Sequence, residues 1–549
     1  MGVKKTRKRS LALYSVGFIT ARETLYTCNA CGHTVGSEEL AALAPHRHTF
    51  GYDVMVQVGM SLFLQSRNER EIREQLANRG IRISASEVAL LAKKFICYLA
   101  IAHRESSRLI KSYMEDKGGY ILHLDATCEA DSPHLFVGLD EISSLVLDAV
   151  KLPAERKASI VPFLQHMRTA YGTPAAVVHD MSSAIIYAVE EVFPHTPDFI
   201  CHFHFLRDIG NDLFKGENDT LRGRLRYFGI QSKLRSILKC CTGKIEKHPE
   251  SLPQLSSLIS EHQQTPTQIC PELLLYTIIL WALDGKSQGD GYGFPFDRPY
   301  VTFFDRLRIL RQTVVRLALH QKSKYGALVL ADLKPLWHDQ RLTTAVKRIH
   351  EKVIVFDQLR TAMRIAEPAG KLGLNDPGSG EMKHLEIRVK QFHQGLCELD
   401  ERKDRIYRKM REQIEKYWEK LFADPISVQT PSGPLLLYPQ RTNNILEQFF
   451  RSIKQSHCRR SGYAAMNKTL KAMLSGLPLV KNLEHAEYRK IILNGTSSLE
   501  ERFAQINSLV VRDLLVSEAN FVGKVAPEIK RLIKNPKLPK QLISLFRSA

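Results

Sequence analysis

The spacing of apolar residues predicts a helical region near the start of the chain. From Tyr52 to about His103, apolar residues recur at helical intervals. The segment 78–86 interrupts this pattern, because Gly80 can end one helix and Ser84 or Ser86 can cap the next. Two helices joined in this way predict a helix-turn-helix region.

A β-rich region begins after Gly118. Apolar runs at 120–126, 135–139 and 145–150 predict a three-stranded meander, and runs at 175–180 and 198–203 predict two further strands. A helix is predicted before each of these two later strands, an amphipathic one at 153–171 and a second at 182–193. This order of elements is that of a ribonuclease-H-like fold.

Most of the remaining chain has helical periodicity. It is polar and helical from 216 to 423, returns through a strand-like stretch at 425–439, and becomes helical again from Thr442 to Gln455. The expected fold class is therefore multi-domain α+β. The expected domains are a zinc-binding module (1–50), a helix-turn-helix region (51–115), a ribonuclease-H-like α/β catalytic domain in two parts (116–215 and 431–475), an all-α insertion that interrupts it (216–430), and a carboxyl-terminal helical basic region (476–549).

The charge of the chain indicates a polyanionic partner. Its 549 residues include 78 Lys and Arg against 58 Asp and Glu, a formal net charge of +20. Nucleic acid is the first candidate for such a chain, and a basic surface without a specific partner is the alternative. No apolar run approaches the ~20 residues that cross a bilayer. We expect a cytoplasmic protein with no membrane association, and the scattered cysteines agree with a reducing compartment.

Two aspartates stand at the ends of predicted strands. Asp125 ends the first strand, and Asp180 ends the fourth after three apolar residues. The carboxyl ends of neighbouring strands meet at one edge of an open sheet. Two carboxylates there can share divalent cations, which activate a water or a 3′-hydroxyl for attack on a phosphodiester. The alternative for each aspartate is a cap of the following helix.

A third carboxylate, Glu447, lies in the helix that begins near Thr442. Either Asn443 or Asn444 can cap this helix. The neighbours of the carboxylate are apolar: Ile445, Leu446, Phe449 and Phe450. A carboxylate in such a stretch faces either solvent or a site, and an i,i+4 ion pair with Arg451 is the alternative role.

The three carboxylates stand in the motifs His123-Leu-Asp125, Val178-His-Asp180 and Asn443-Asn-x-x-Glu447. Together these motifs resemble the signature blocks of DDE transposases. The resemblance is greatest to Mutator-like and hAT-like transposases and related insertion-sequence enzymes, whose ribonuclease-H fold is interrupted by a large helical insertion. That subset carries a Cys-x-x-His after the second Asp, as Cys201-His-Phe-His204 does here. The resemblance covers about 118–215 and 435–475.

The resemblance implies an enzyme that cleaves and transfers DNA strands at transposon ends. It implies that Asp125, Asp180 and Glu447 hold two Mg²⁺ or Mn²⁺ ions, with Asp125 bridging both. The implied partners are terminal inverted repeats, target DNA and at least one further copy of the chain, in a bacterial nucleoid. Cys201, His204 and Asn444 are expected to support the site. The alternatives are an inactive, domesticated transposase that regulates through DNA binding, and a nuclease for RNA–DNA hybrids.

A Cys/His cluster near the amino terminus predicts a zinc site. Cys28-Asn-Ala-Cys31 is a C-x2-C knuckle, and His46 and His48 would complete a tetrahedral set of four ligands. His33 is an alternative ligand. The other interpretation is a pair of unconnected thiols and surface imidazoles.

Basic residues at three places are expected to contact DNA. The helix-turn-helix region contributes Arg79, Arg82, Lys93 and Lys94. The helix of Glu447 contributes Arg451 and Lys454, followed by Arg459 and Arg460. A basic arm, for which a solvated tail is the alternative, contains Lys4, Lys5, Arg7, Lys8 and Arg9.

Overall fold

The computed structural model describes residues 1–261, 270–320, 323–366, 381–402, 406–519, 527–532 and 534–545. The chain divides into two compact units. Unit 1 contains Met1–Cys201 and Ala423–Ala549, and unit 2 contains His202–Phe422. Unit 2 therefore separates the two parts of unit 1 along the sequence. Among the described residues, none of the helices combines the length and apolar character needed to span a bilayer.

Unit 1 begins with a long β-hairpin followed by helices. The elements are β1 (Gly2–Leu13), β2 (Gly17–Thr27), β3 (Thr34–Val35), α1 (Glu38–Leu43), α2 (Tyr52–Phe63), α3 (Glu69–Ala77), α4 (Ala85–Glu105) and α5 (Ser107–Glu115). The side chain of Asn68 caps α3, and that of Ser84 caps α4. The basic residues of the expected arm lie on β1, where Arg7 pairs with Glu23 and Arg9 donates to the Pro45 carbonyl. They form a paired strand, and neither a free arm nor a solvated tail.

A mixed five-stranded sheet follows. Its elements are β4 (Ile121–Thr127), β5 (His134–Asp140), β6 (Val146–Leu152), α6 (Lys157–Tyr171), β7 (Ala176–His179), α7 (Ser183–Val192) and β8 (Asp198–Ile200). The strand order is β6-β5-β4-β7-β8. The pairs β4–β5 and β5–β6 are antiparallel, whereas β4–β7 and β7–β8 are parallel. This order is compatible with the expected ribonuclease-H-like domain.

Within the described residues, the regular elements of unit 2 are all helices. Its helices are α8 (His202–Tyr227), α9 (Ile230–Ile245), α10 (Ser251–Glu261), α11 (Pro271–Asp284), α12 (Pro299–His320), α13 (Lys324–His338), α14 (Gln340–Met363), α15 (Glu381–Arg402) and α16 (Arg408–Leu421). Phe214 of α8 packs edge-on against Phe356 of α14, with ring centroids 5.3 Å apart. An ion pair between Arg224 and Asp339 joins α8 to the residue that caps α14. These contacts make α8 and α14 a central pair of the unit.

The second part of unit 1 completes its core. It contains β9 (Ile426–Thr430), β10 (Gly433–Leu437), α17 (Asn444–Ser461), α18 (Asn467–Ala472), a 3-10 helix (Leu477–Glu484), α19 (Ala486–Leu493), α20 (Leu499–Ala504), α21 (Ser508–Ala519), α22 (Pro527–Leu532) and α23 (Leu538–Leu545). One apolar cluster includes buried residues from α4, the sheet and α20, among them Phe95, Phe136 and Phe503. The two sequence segments of unit 1 therefore share a single core.

Candidate active site

Asp125 and Asp180 lie on neighbouring strands at the same edge of the five-stranded sheet. In the parallel pair β4–β7, Leu124 is the partner of His179. Each aspartate directly follows one of these partnered residues, so the two occupy corresponding positions on adjacent chains. Asp125 is inside β4, two residues before its end, and is 8% exposed. Asp180 immediately follows β7 and is partly buried.

Glu447 approaches the same edge from the first turn of α17. This helix packs against β4, and its Leu446 is fully buried in the core of unit 1. Glu447, the next residue, is half-buried. Arg451 lies one turn further along α17 and is exposed.

The electrostatics of this edge show that the carboxylates act on one another. Burial raises the pKa of Asp125 well above its usual value, and the negative charges of Asp180, Glu447 and Glu155 raise it further. The pKa of Asp180 is also raised, first by burial and then by the charge of Glu155. Carboxylates that repel one another in a buried place are stabilised by divalent cations, which prefer oxygen ligands. The donor set therefore fits Mg²⁺ or Mn²⁺.

Glu155 is a carboxylate of this edge that the sequence did not reveal. It lies in the short segment between β6 and α6, and its carboxylate is 3.9 Å from the imidazole of His134. Nothing in its sequence neighbourhood distinguishes it from a solvated turn residue. Only the approach of this segment to β4 and β7 brings its charge near Asp125 and Asp180.

The spacing of the three expected catalytic carboxylates is wider than that of a single-ion cluster. Among the residues that the structure describes, one group of three His, Cys, Asp or Glu has all its ligand atoms within 4.8 Å, and it consists of His393, Cys397 and Glu415. Asp125, Asp180 and Glu447 do not meet that distance. In a two-ion arrangement the ions stand about 4 Å apart, so carboxylates that bind different ions are naturally further separated.

A buried hydrogen-bond network fixes the start of α17 to β4. Asn443 is fully buried, and its side-chain amide donates to the Leu124 carbonyl at 2.8 Å. Its side-chain oxygen accepts from Nδ1 of His123 at 2.8 Å, and Nε2 of His123 lies 2.9 Å from the Glu141 carboxylate. The backbone N–H of Asn443 donates to Sγ of Cys201 at 3.2 Å. The residue that ties the helix to the sheet is thus Asn443, whereas sequence reasoning selected its neighbour Asn444.

Cys201 and His204 lie on different elements, whereas the sequence predicted one strand over 198–203. Strand β8 ends at Ile200 and α8 begins at His202, so Cys201 belongs to unit 1 and His204 to the first turn of α8 in unit 2. Sγ of Cys201 contacts the backbone N–H of Asn443, at the start of α17. Burial lowers the pKa of His204 to about 4, with a smaller contribution from the charge of Arg207.

The structure does not gather the expected zinc ligands into one cluster. Cys28 and Cys31 share a turn, and backbone hydrogen bonds there lower the pKa of Cys28. Nδ1 of His48 lies 2.9 Å from Nζ of Lys94. The candidate ligands are Cys28, Cys31, His33, His46 and His48. Within the described residues, no three of them have ligand atoms that all lie within 4.8 Å of one another. Zinc binding by Cys28, Cys31, His46 and His48 therefore stays a prediction.

The residues expected to contact DNA divide into exposed and buried ones. Exposed basic side chains are those of Arg79, Arg82, Lys93, Arg451 and Lys454. Lys94 is only 9% exposed and contacts His48. Its ammonium group is therefore not on the exposed face of α4, where it would have to be to contact a DNA phosphate.

Unit 2 contains a basic cavity that sequence reasoning missed. Its volume is about 520 Å³, and no carboxylate lines it. Its cationic side chains come from α8, α9 and the loop after α11: Arg222, Arg226, Arg235, Lys239 and Lys286. The spacing of four residues within each helical pair is a signal that could have been found, since such residues share a helix face.

Comparisons with known proteins add little to this geometry. No protein-family model and no curated protein sequence matches the chain. Among solved structures, the Drosophila P element transposase strand transfer complex matches 89% of this chain and 97% of that chain, with 10% identity and a TM-score of 0.25. A TM-score this low does not establish a common fold.

Proposed function

We propose that this protein is a DDE-type DNA transposase that uses Asp125, Asp180 and Glu447 to bind two divalent metal ions. The observation that carries the proposal is the register of β4 and β7, which places Asp125 and Asp180 side by side at one sheet edge. The influence of Glu447 on the pKa of Asp125 supports its place in the same site. The three residues are those that the DDE signature motifs single out.

The order of elements supports the same family. A meander, then two parallel strands each reached through a helix, agrees with a ribonuclease-H-like catalytic domain. The helical unit 2 lies in the sequence between the strand that carries Asp180 and the helix that carries Glu447. We therefore assign unit 2 as the insertion that is typical of Mutator-like and hAT-like transposases.

In this mechanism, the protein contributes binding, orientation and charge. Asp125, Asp180 and Glu447 would hold the two ions. When bound, the ions supply an activated oxygen nucleophile and stabilise the leaving oxygen of the phosphodiester. Asn443 and His123 hold α17, and with it Glu447, at a fixed distance from β4. Arg451 and Lys454, exposed on α17, are placed to bind the phosphates of the strand that is cut.

The test is excision from a supercoiled donor plasmid by Asp180→Asn in the presence of Mg²⁺. We expect the excision rate to fall at least about 10³-fold, because the substitution removes one carboxylate ligand of the two metal ions. Thermal stability should not fall, because the substitution removes a charge that raises the pKa of Asp125.

The matched control is Glu191→Gln, which neutralises an exposed carboxylate on α7 that pairs with Lys157. Its excision rate should equal that of the wild type. Undiminished excision by Asp180→Asn would contradict the proposal. A wild-type chain that binds terminal repeats and cleaves nothing with either Mg²⁺ or Mn²⁺ would instead be a DNA-binding regulator.

A further inference from the structure

We propose that unit 2 holds a transition-metal ion between α15 and α16, with His393, Cys397 and Glu415 as its protein ligands. His393 and Cys397 are four residues apart on α15 and so share one helix face. Glu415 lies on α16, which packs against α15. The three residues come from the helical unit, where the sequence predicted no metal.

The distances between the ligand atoms are close to those around a tetrahedral ion, and all three atoms lie within 4.8 Å of one another. Nε2 of His393 lies 3.1 Å from a carboxylate oxygen of Glu415, and Sγ of Cys397 lies 4.0 Å from each ring nitrogen of His393. Metal–ligand bonds of about 2.0–2.3 Å at tetrahedral angles separate neighbouring ligand atoms by about 3.3–3.8 Å. Side-chain rotations that move the ligand atoms by up to about 1 Å would convert the observed arrangement into a coordination sphere.

The ligand types select the kind of ion. A thiolate, an imidazole and a carboxylate together favour Zn²⁺ or Co²⁺ over Mg²⁺ and Ca²⁺, which prefer oxygen ligands alone. Three protein ligands leave one tetrahedral position for water or another small ligand. The imidazole of His393 is 21% exposed and the Glu415 carboxylate 52% exposed, so an ion can reach them from solvent.

One cation competes for this site. Nε of Arg411 lies 3.6 Å from the Glu415 oxygen that His393 contacts. An ion that binds Glu415 must therefore act against the positive charge of Arg411. Replacement of Arg411 by Gln should therefore tighten metal binding. If Glu415 serves only in an ion pair between the two helices, neither the wild type nor this variant should bind the metal.

The experiment is a Co²⁺ titration of the full-length chain, followed by the thiolate-to-cobalt charge-transfer absorption. Because Cys28 and Cys31 are also adjacent thiols, all proteins carry Cys28→Ser and Cys31→Ser. Cys397→Ser should abolish the charge-transfer band, and Glu415→Gln should weaken Co²⁺ binding at least tenfold. Zn²⁺ should displace the Co²⁺ with loss of the band.

The matched control is Cys240→Ser, which removes an exposed thiol on α9 of the same unit. It should keep both the band and the affinity. Glu415→Gln guards against misfolding, because its exposed carboxylate contributes little to packing and its melting curve should be unchanged. A band of equal intensity in Cys397→Ser and Cys240→Ser, or no band at all in the parent protein, would overturn the site. The outcome is independent of the Asp180→Asn assay.

Discussion

Two regions of unit 1 differ in what fixes the positions of their polar side chains. At the sheet edge, Asp125 and Asp180 lie side by side because β4 and β7 are parallel and in register. In the amino-terminal segment, Cys28 and Cys31 share a turn, but His48 contacts Lys94 on α4. Strand pairing fixes where a residue lies in space, whereas the spacing of residues in a loop leaves the path of the chain open.

The largest stability effect should come from breaking the network that holds α17 to the sheet. Asn443→Ala removes the donor to the Leu124 carbonyl and the acceptor of His123, and leaves both of these buried groups without that partner. We expect a loss of about 3 kcal/mol in the free energy of unfolding, measured in urea. Asn444→Ala is the matched control, because Asn444 is only partly buried. Equal losses in the two variants would contradict the special role of Asn443.

A smaller effect concerns the link between the amino-terminal helices and the sheet. His103 of α4 is fully buried, with Nε2 donating to the Leu147 carbonyl of β6 and Nδ1 accepting from the Tyr488 hydroxyl. Burial lowers its pKa to about 4. Below a pH of about 6.5 the unfolded chain binds a proton that the folded chain does not, so stability falls as the pH decreases towards about 4.

At pH 5 the lowered pKa of His103 reduces the free energy of unfolding by about 2 kcal/mol. His48 and His204, whose pKa values are also lowered to about 4, add to the same loss in the wild type. The comparison is therefore with His103→Gln, and the measurement is urea unfolding of both proteins at pH 7 and pH 5. The wild type should lose about 2 kcal/mol more than the variant between the two pH values. An identical pH dependence would show that His103 is not buried in the neutral form.

The same contrast explains which features the sequence could supply. The strands of the central sheet could be predicted because alternating and continuous apolar runs have a direct meaning for a buried strand. The length of the last strand was overestimated, because α8 begins at His202 and includes residues that were predicted to belong to a strand over 198–203. Asn443 could be placed at the start of α17, but its bonds to His123 and Leu124 depend on chain segments far away in sequence. Glu155 and the basic cavity of unit 2 likewise depend on tertiary packing that a single sequence does not encode locally.

The smallest effects are expected on DNA affinity, and two adjacent lysines of α4 test them beside the amino-terminal segment. Lys93 is exposed, whereas Lys94 is buried with its Nζ 2.9 Å from Nδ1 of His48, and burial lowers its pKa. If α4 faces DNA, Lys93→Ala should weaken binding a few-fold and reduce the slope of log affinity against log salt by about 0.9. Lys94→Met should leave that slope unchanged, because a buried ammonium does not release a counterion from a phosphate.

Lys94→Met should instead change the pKa of His48, which is lowered by burial and then by the charge of Lys94. Loss of that charge raises the His48 pKa, which an NMR titration of its ring protons measures. Lys93→Ala should leave this titration unchanged. Equal reductions of the salt slope in the two variants would mean that Lys94 reaches DNA after all, and that the amino-terminal segment rearranges around His48 when DNA binds. In that event the loop, unlike the sheet edge, would acquire its functional geometry only in the complex.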